Sequence, residues 1–185
     1  MRKNFNSHPW SYPQPVLMIA SYDENDVPNL MNAAWGGISA VNHIAICVDK
    51  GHKTTANILK RGAFTVSMAD EAHVTECDYV GIVSGDKVPD KFAKAGFHAV
   101  KSEFVDAPVV EELPMCLECK MVSYDSETEI LVGEIVNICA DEAVLTGGKI
   151  DPAKLRPITF DPVNNHYLAL GAPVGNAFKD GLALK

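Results

Sequence analysis

The chain has 185 residues, 47% of them hydrophobic and 22% charged, which is the composition of one folded domain with a real core. Its 24 acidic and 16 basic residues leave a net charge of −8, against the basic face that a general nucleic-acid footprint needs. The opening MRKNFNSHPW runs into Ser, Tyr and prolines instead of an apolar signal segment, and Val16–Ala20 is too short to span a bilayer. The five cysteines, Cys47, Cys77, Cys116, Cys119 and Cys139, are odd in number and scattered, as reduced thiols of a cytoplasmic protein would be.

In chain order, Val16–Tyr22 reads as a strand, Asp23 to Asp26 as a turn, and Pro28–Met31 as the start of the return. Val41–Val48 is an apolar run expected to be a strand buried on both faces. The period then changes: Thr54–Arg61 reads as a short helix, capped by Thr54 or Thr55 and stopped by Gly62. Ala63–Ala69 returns to strand, Asp70–Gly81 and Pro89–Ala95 look helical, and Met115–Tyr124 with Glu129–Ala140 form a long hairpin. Asp151-Pro152 opens one more helix, and Ile158–Phe160 pairs with His166–Leu170. Many short antiparallel strands with few helices predict a mainly β domain that closes as a barrel, because closure removes exposed edges. The βαβ rhythm, G-x-G-x-x-G and a phosphate loop ending in Gly-Lys-Ser/Thr are all absent, which excludes a Rossmann pocket as the cofactor site.

Two stretches carry chemistry. In DKGHKTTAN, residues 49–57, a strand ends in a turn and a helix begins, so unpaired amides and the helix dipole meet Lys50, His52, Lys53 and threonine hydroxyls. That set suits a phosphate, although a capped helix with surface lysines gives the same letters. In LMNAAWGG, residues 30–37, Asn32, Ala33, Ala34 and Gly36 leave backbone open to a flat ring, and Trp35 offers a wall. A tight barrel corner would also use such small residues. With an anion cradle some twenty residues on, a ligand having a flat head and a phosphate tail explains both. Cys116-x-x-Cys119 has dithiol spacing but lies in an expected strand, which would send the two thiols to opposite faces. His73 and Cys77 are one helical turn apart and lack the further ligands a metal needs.

Pro15-Val16, Asn32-Ala33-Ala34-Trp35 and His52-Lys53-Thr54 together resemble the flavin reductase-like proteins of the FMN-binding split-barrel fold, most closely the flavoredoxin type. Asp90-Lys91-Phe92 with Gly96, Ala107-Pro108-Val109 before Leu117-Glu118-Cys119, Gly133-Glu134, Tyr167 and Leu170-Gly171 extend the likeness over roughly residues 14–181. The resemblance implies one FMN-binding domain over the whole chain and a homodimer holding FMN non-covalently near its interface. It also implies NAD(P)H as a transient donor, or an electron-transfer protein as partner. Asn32, Ala33, Ala34 and Trp35 would line the isoalloxazine. Lys53 and Thr54 would hold the phosphate, with Lys50, His52, Ser84 and Lys91 nearby. Lysines stand where many relatives place an arginine.

Overall fold

The chain begins with β1 (Gln14–Pro15), β2 (Leu17–Tyr22), β3 (Pro28–Ala33), β4 (Gly36–Ala40) and β5 (His43–Cys47). These are followed by α1 (Lys53–Arg61), β6 (Ala63–Met68), α2 (Val74–Ile82) and α3 (Lys91–Lys94). Two hairpins come next, β7 (Ala99–Lys101) with β8 (Pro108–Val110) and β9 (Met115–Asp125) with β10 (Ile130–Ala140). The chain ends with β11 (Leu145–Thr146), β12 (Lys149–Ile150), α4 (Pro152–Leu155), β13 (Ile158–Asp161) and β14 (His166–Ala169). The computed structural model describes all residues, 1–185.

Seven strands make one antiparallel sheet in the order β3-β2-β6-β9-β10-β5-β4. β3 and β4 are its two edges, yet only Ala34 and Trp35 separate them in the chain. Two residues cannot span seven flat strands, so the sheet curls until its edges face each other across a seam. The result is a split β-barrel, with Asn32–Gly36 crossing the split.

The inner face of the sheet is covered, and so is its outer face over β2, β3 and β6. Inside the barrel pack Leu17, Ile19, Ile44, Ile46, Phe64, Val66, Leu117, Cys119 and Leu131, with Ile58 of α1 closing one end. Gly133 is required there, since a Cβ would overlap the Phe64 ring. On the outer face, Val16, Met18, Ala20 and Leu30 pack against Cys77 and Val80 of α2, Phe92 and Phe97 around α3, and Ile158. β2 and β6 therefore have both faces buried and read as unbroken apolar runs.

Four local expectations are corrected. Val41–Val48 is not buried on both faces: β5 alternates, with Ile44 and Ile46 inward, and Val41 is a fully exposed turn residue. The helix expected from Asp70 starts at Val74, because the Asp70 carboxylate accepts from the amides of Ala72 and His73 and holds a turn instead. Pro89–Ala95 contains only the single turn Lys91–Lys94. Neither Thr54 nor Thr55 caps α1; its N-cap is His52, and the Thr55 hydroxyl donates to Asp49 O at 2.8 Å.

Candidate functional site

A cavity of about 400 Å³ opens between β3, the start of α1 and the end of α2. Asn29, Asn32, Lys53, Thr54, Gly81, Ser84 and Lys91 face it. A smaller pocket of about 170 Å³ adjoins it, walled by Ala33, Ala34, Trp35, Phe160 and Tyr167, and Asn32 belongs to both. The two spaces run from a helix start to an aromatic wall.

The helix start is built for an anion. His52 gives α1 no side-chain cap, so the first amides keep their protons available. Asn29 Nδ2 donates to Thr54 Oγ1 at 2.6 Å, which fixes that hydroxyl and leaves its own proton to give. Lys53 Nζ lies 3.3 Å from Asp23, whose carboxylate also accepts from the amides of Asn25 and Val27. The Lys53 ammonium is thus steered by one partner and retains donors for a second.

At the junction, Asn32 Nδ2 donates to Cys77 O at 3.1 Å, which ties the amide to α2 and leaves Oδ1 as an acceptor. That position needs Gly81, because a Cβ there would overlap the Asn32 amide; Gly85 stands in the same relation to Asn29. On the aromatic side, Tyr167 donates to Asp78 Oδ1 at 2.7 Å and packs against Phe160 with ring centres 6.1 Å apart. Burial first, then Asp78, pushes the Tyr167 phenol well above its ordinary range. It stays a neutral donor.

Of the residues expected at the site, Asn32, His52, Lys53, Thr54, Ser84 and Lys91 line the larger cavity, and Ala33, Ala34 and Trp35 line the smaller. Two lie outside these linings. Lys50 is exposed in an adjoining groove that shares His52 and Lys53 with the larger cavity and adds Asp23, Glu24, Lys60 and Asp86. Gly36 serves packing: a Cβ would come within 2.9 Å of Ala45 O in the neighbouring strand. Lys91 is more buried than a phosphate lysine at a surface. Its Nζ donates to Val80 O at 2.7 Å and Val83 O at 2.8 Å, closing the carbonyl end of α2. Burial, with the charge of Lys53 adding and Asp86 opposing, brings its pKa down to about 8.

Sequence reasoning gave no site role to Asn29, Gly81, Gly85, Phe160 or Tyr167. Asn29 sits beside Pro28 in an ordinary hairpin return, and the glycines look like loop punctuation; their contacts come from elements far away in the chain. Elsewhere, Cys116 and Cys119 do face opposite sides of β9: Cys119 joins the barrel core, and Cys116 faces the outer side. The His73 ring pairs with Asp70 at 2.8 Å, while burial pushes the Cys77 thiol up to about 12. No helix is long and apolar enough to cross a membrane.

The family model for the flavin reductase-like domain matches residues 10–154. The chain is similar over 98% of its length to the flavoredoxin of Desulfovibrio vulgaris (Miyazaki F), all of which is covered, at 38% identity and a TM-score of 0.94. It is similar to the flavoredoxin from Methanosarcina acetivorans over the whole of both chains, at 29% identity and a TM-score of 0.91. It shares its fold, at 20% identity and a TM-score of 0.80, with nitrilotriacetate monooxygenase component B from Bacillus cereus, over 95% of this chain and 100% of that one. With a split barrel, a seam of small residues and a domain match covering most of its length, the chain belongs to the flavin reductase-like family of flavin-related redox proteins.

Proposed function

We propose that this protein holds FMN non-covalently in the joined cavities, takes electrons from NAD(P)H and passes them to a downstream acceptor. The observation that carries the reading is that two neighbouring cavities share Asn32, one at the uncapped start of α1 and the other at the Trp35–Tyr167 wall. The residues fit the group. The α1 amides, Lys53 and the Thr54 hydroxyl would hold the phosphate, and Lys91 would face the same end as a partly titrating cation. Asn32 Oδ1 would accept from the ring edge, while Ala33, Ala34 and Trp35 would let the ring lie against backbone.

A bound flavin supplies the redox chemistry, taking a hydride and releasing electrons. The chain's share is position and access. The Asn32 amide is fixed by Cys77 O, so a ring seated on it meets an acceptor already oriented. The Tyr167 hydroxyl is spent on Asp78 and presents its ring, not its proton, to the pocket. Trp35 is half exposed, which leaves that side of the pocket open to a transient donor.

A second reading is an FMN electron carrier that serves a protein partner without NAD(P)H turnover, and the similarity to two flavoredoxins favours it. The visible spectrum of the freshly purified protein, before and after anaerobic NADH and then NADPH, separates them. Flavin bands that bleach support the oxidoreductase. Bands that persist with both donors, but bleach with a reduced iron–sulfur protein, support the carrier. A protein that takes up no flavin at any FMN concentration would overturn both. The homodimer and a cytoplasmic setting belong to the same proposal; exposed Ile38 and Val41 at the edge strand β4 support the dimer.

A further inference from the structure

A second chemical site lies on the outer face of the sheet, away from the cavities above. The registers Asn32 with Met18, Met18 with Ser67, Ser67 with Cys116 and Cys116 with Cys139 form one row across five strands. Residues in such a row share a face, so Cys116 of β9 and Cys139 of β10 stand side by side. Two residues further along, Asp141 N donates to Pro114 O at 2.9 Å, which makes Cys116 and Cys139 a pair of the same hydrogen-bonded type. The Cα atoms of such a pair are about 5.5 Å apart, inside the range that a disulfide bridges, while its Cβ atoms stand about 1 Å wider than a relaxed disulfide takes, so the bridge draws the two strands together.

Both cysteines line a cavity of about 350 Å³ between this face and the β7–β8 hairpin. Its floor is polar. Glu118 is 3% exposed and accepts from Ser102 and Asn137. Ser67, opposite Cys116 in the row, is fully buried, and its hydroxyl has no hydrogen-bond partner. An orphaned hydroxyl is costly to bury, and in the row Ser67 stands between Met18 and Cys116.

We propose that Cys116 and Cys139 are an oxidisable dithiol, which a small hydroperoxide entering this cavity converts to a cross-strand disulfide. Cys139 is half-buried and reachable, so its sulfur attacks the peroxide oxygen; the O–O bond breaks, water or an alcohol leaves, and Cys139 becomes a sulfenic acid. The buried Cys116 sulfur then attacks that sulfur, the S–O bond breaks and water leaves with the second thiol proton. Two thiols lose two electrons and two protons, and one peroxide is reduced. The Cys116 thiol beside it holds Cys139 below the ordinary thiol range, whereas Cys139 and burial together push Cys116 up. The lowered range suits Cys139 to the attack, and Cys116 resolves by its position beside it, giving up its proton as water leaves. Cys77 and Cys119, pushed by burial up to about 12, have no such partner. The reading replaces Cys116-x-x-Cys119 by a pair that is distant in sequence.

The test uses Cys47→Ser protein, which lacks the one exposed thiol, treated with hydrogen peroxide, denatured and alkylated. The expected result is two fewer alkylatable thiols, a cross-linked peptide pairing residues 102–120 with 121–149 after trypsin, and full recovery with dithiothreitol. Because the first peptide carries both Cys116 and Cys119, Cys119→Ala should keep the link and Cys116→Ala should lose it. If Cys116→Ala does not fold, Cys119→Ala decides alone: with residue 119 an alanine, a link that persists between the two peptides joins Cys116 to Cys139. A link that survives Cys116→Ala would overturn the pair. So would Cys139 oxidised beside an alkylatable Cys116, or no thiol loss at a dose that oxidises free cysteine.

Discussion

Lys53 and Lys91 face one cavity with opposite histories. Lys53 reaches it from the first residue of a helix and is partly exposed; Lys91 is buried and already bonded to two carbonyls. Lys53→Ala should weaken FMN binding by about 1.5–3 kcal/mol, the size of a charge-assisted hydrogen bond. The melting temperature should move little, because Asp23 keeps its amide partners. Fluorescence titration of FMN against both proteins checks it; equal affinities would move the phosphate elsewhere. Lys91 predicts a pH dependence. Its folded pKa of about 8 lies below the ordinary 10.5, so the folded state binds fewer protons between those values. Stability therefore carries a penalty below pH 8 that is relieved as pH rises toward 10.5. Affinity runs the other way, since the free protein loses a cation above pH 8 and FMN should bind up to about tenfold more weakly there, one pKa unit of interaction. Lys91→Met should flatten the affinity profile. A wild-type affinity that does not fall between pH 7 and 10 would show that the ammonium does not feel the ligand.

The joint between β3 and α2 depends on one absent methyl group. Alanine at an exposed helical glycine usually stabilises by up to about 1 kcal/mol. Gly81→Ala should instead cost about 1–3 kcal/mol, the usual size of overpacking, because its Cβ overlaps the Asn32 amide. Adding Asn32→Ala should return most of that stability while FMN binding stays weak, and chemical denaturation with FMN titration of the four proteins closes the cycle. This element also marks what was legible from the sequence. Strand order along the chain, the barrel class and both stretches of the site were readable, because turn residues, apolar runs and helix starts are local signals. β4 was not, since Gly36-Gly37-Ile38-Ser39-Ala40 has no period and the strand owes its existence to pairing with β5. The burial of Lys91 was not legible, because nothing near it in sequence shows that Val80 O and Val83 O accept from it. Asp23 and Asp86, which share the groove of Lys50 beside the cradle, were not legible as its neighbours because they lie far away in the chain. The cysteine pair was hidden for the same reason: C-x-x-C is visible in the letters, whereas Cys116–Cys139 is visible only in the register.

The whole molecule leaves exposed apolar groups beside the seam it must keep open. β4 is an edge strand, yet Ile38 is 66% exposed and the adjoining Val41 fully so, with half-exposed Trp35 at the pocket mouth. An uncovered edge of this kind invites pairing, and monomers usually guard it with charge or proline. The chain's last fifteen residues add Val174, Phe178 and Leu184, all nearly or fully exposed. A second copy is the cover that the proposed dimer supplies, and it would place protein over the open side of the Trp35 pocket. Light scattering on a sizing column should therefore give a dimer. Ile38→Asp lies outside both cavities and points at no ligand, so any effect on flavin must come through association. It should shift the protein toward monomer and weaken FMN binding, while the monomer keeps its far-UV spectrum because the barrel core is untouched. Wild-type protein that is monomeric at micromolar concentration and still retains FMN would separate the flavin site from the dimer, and β4 would then need another partner.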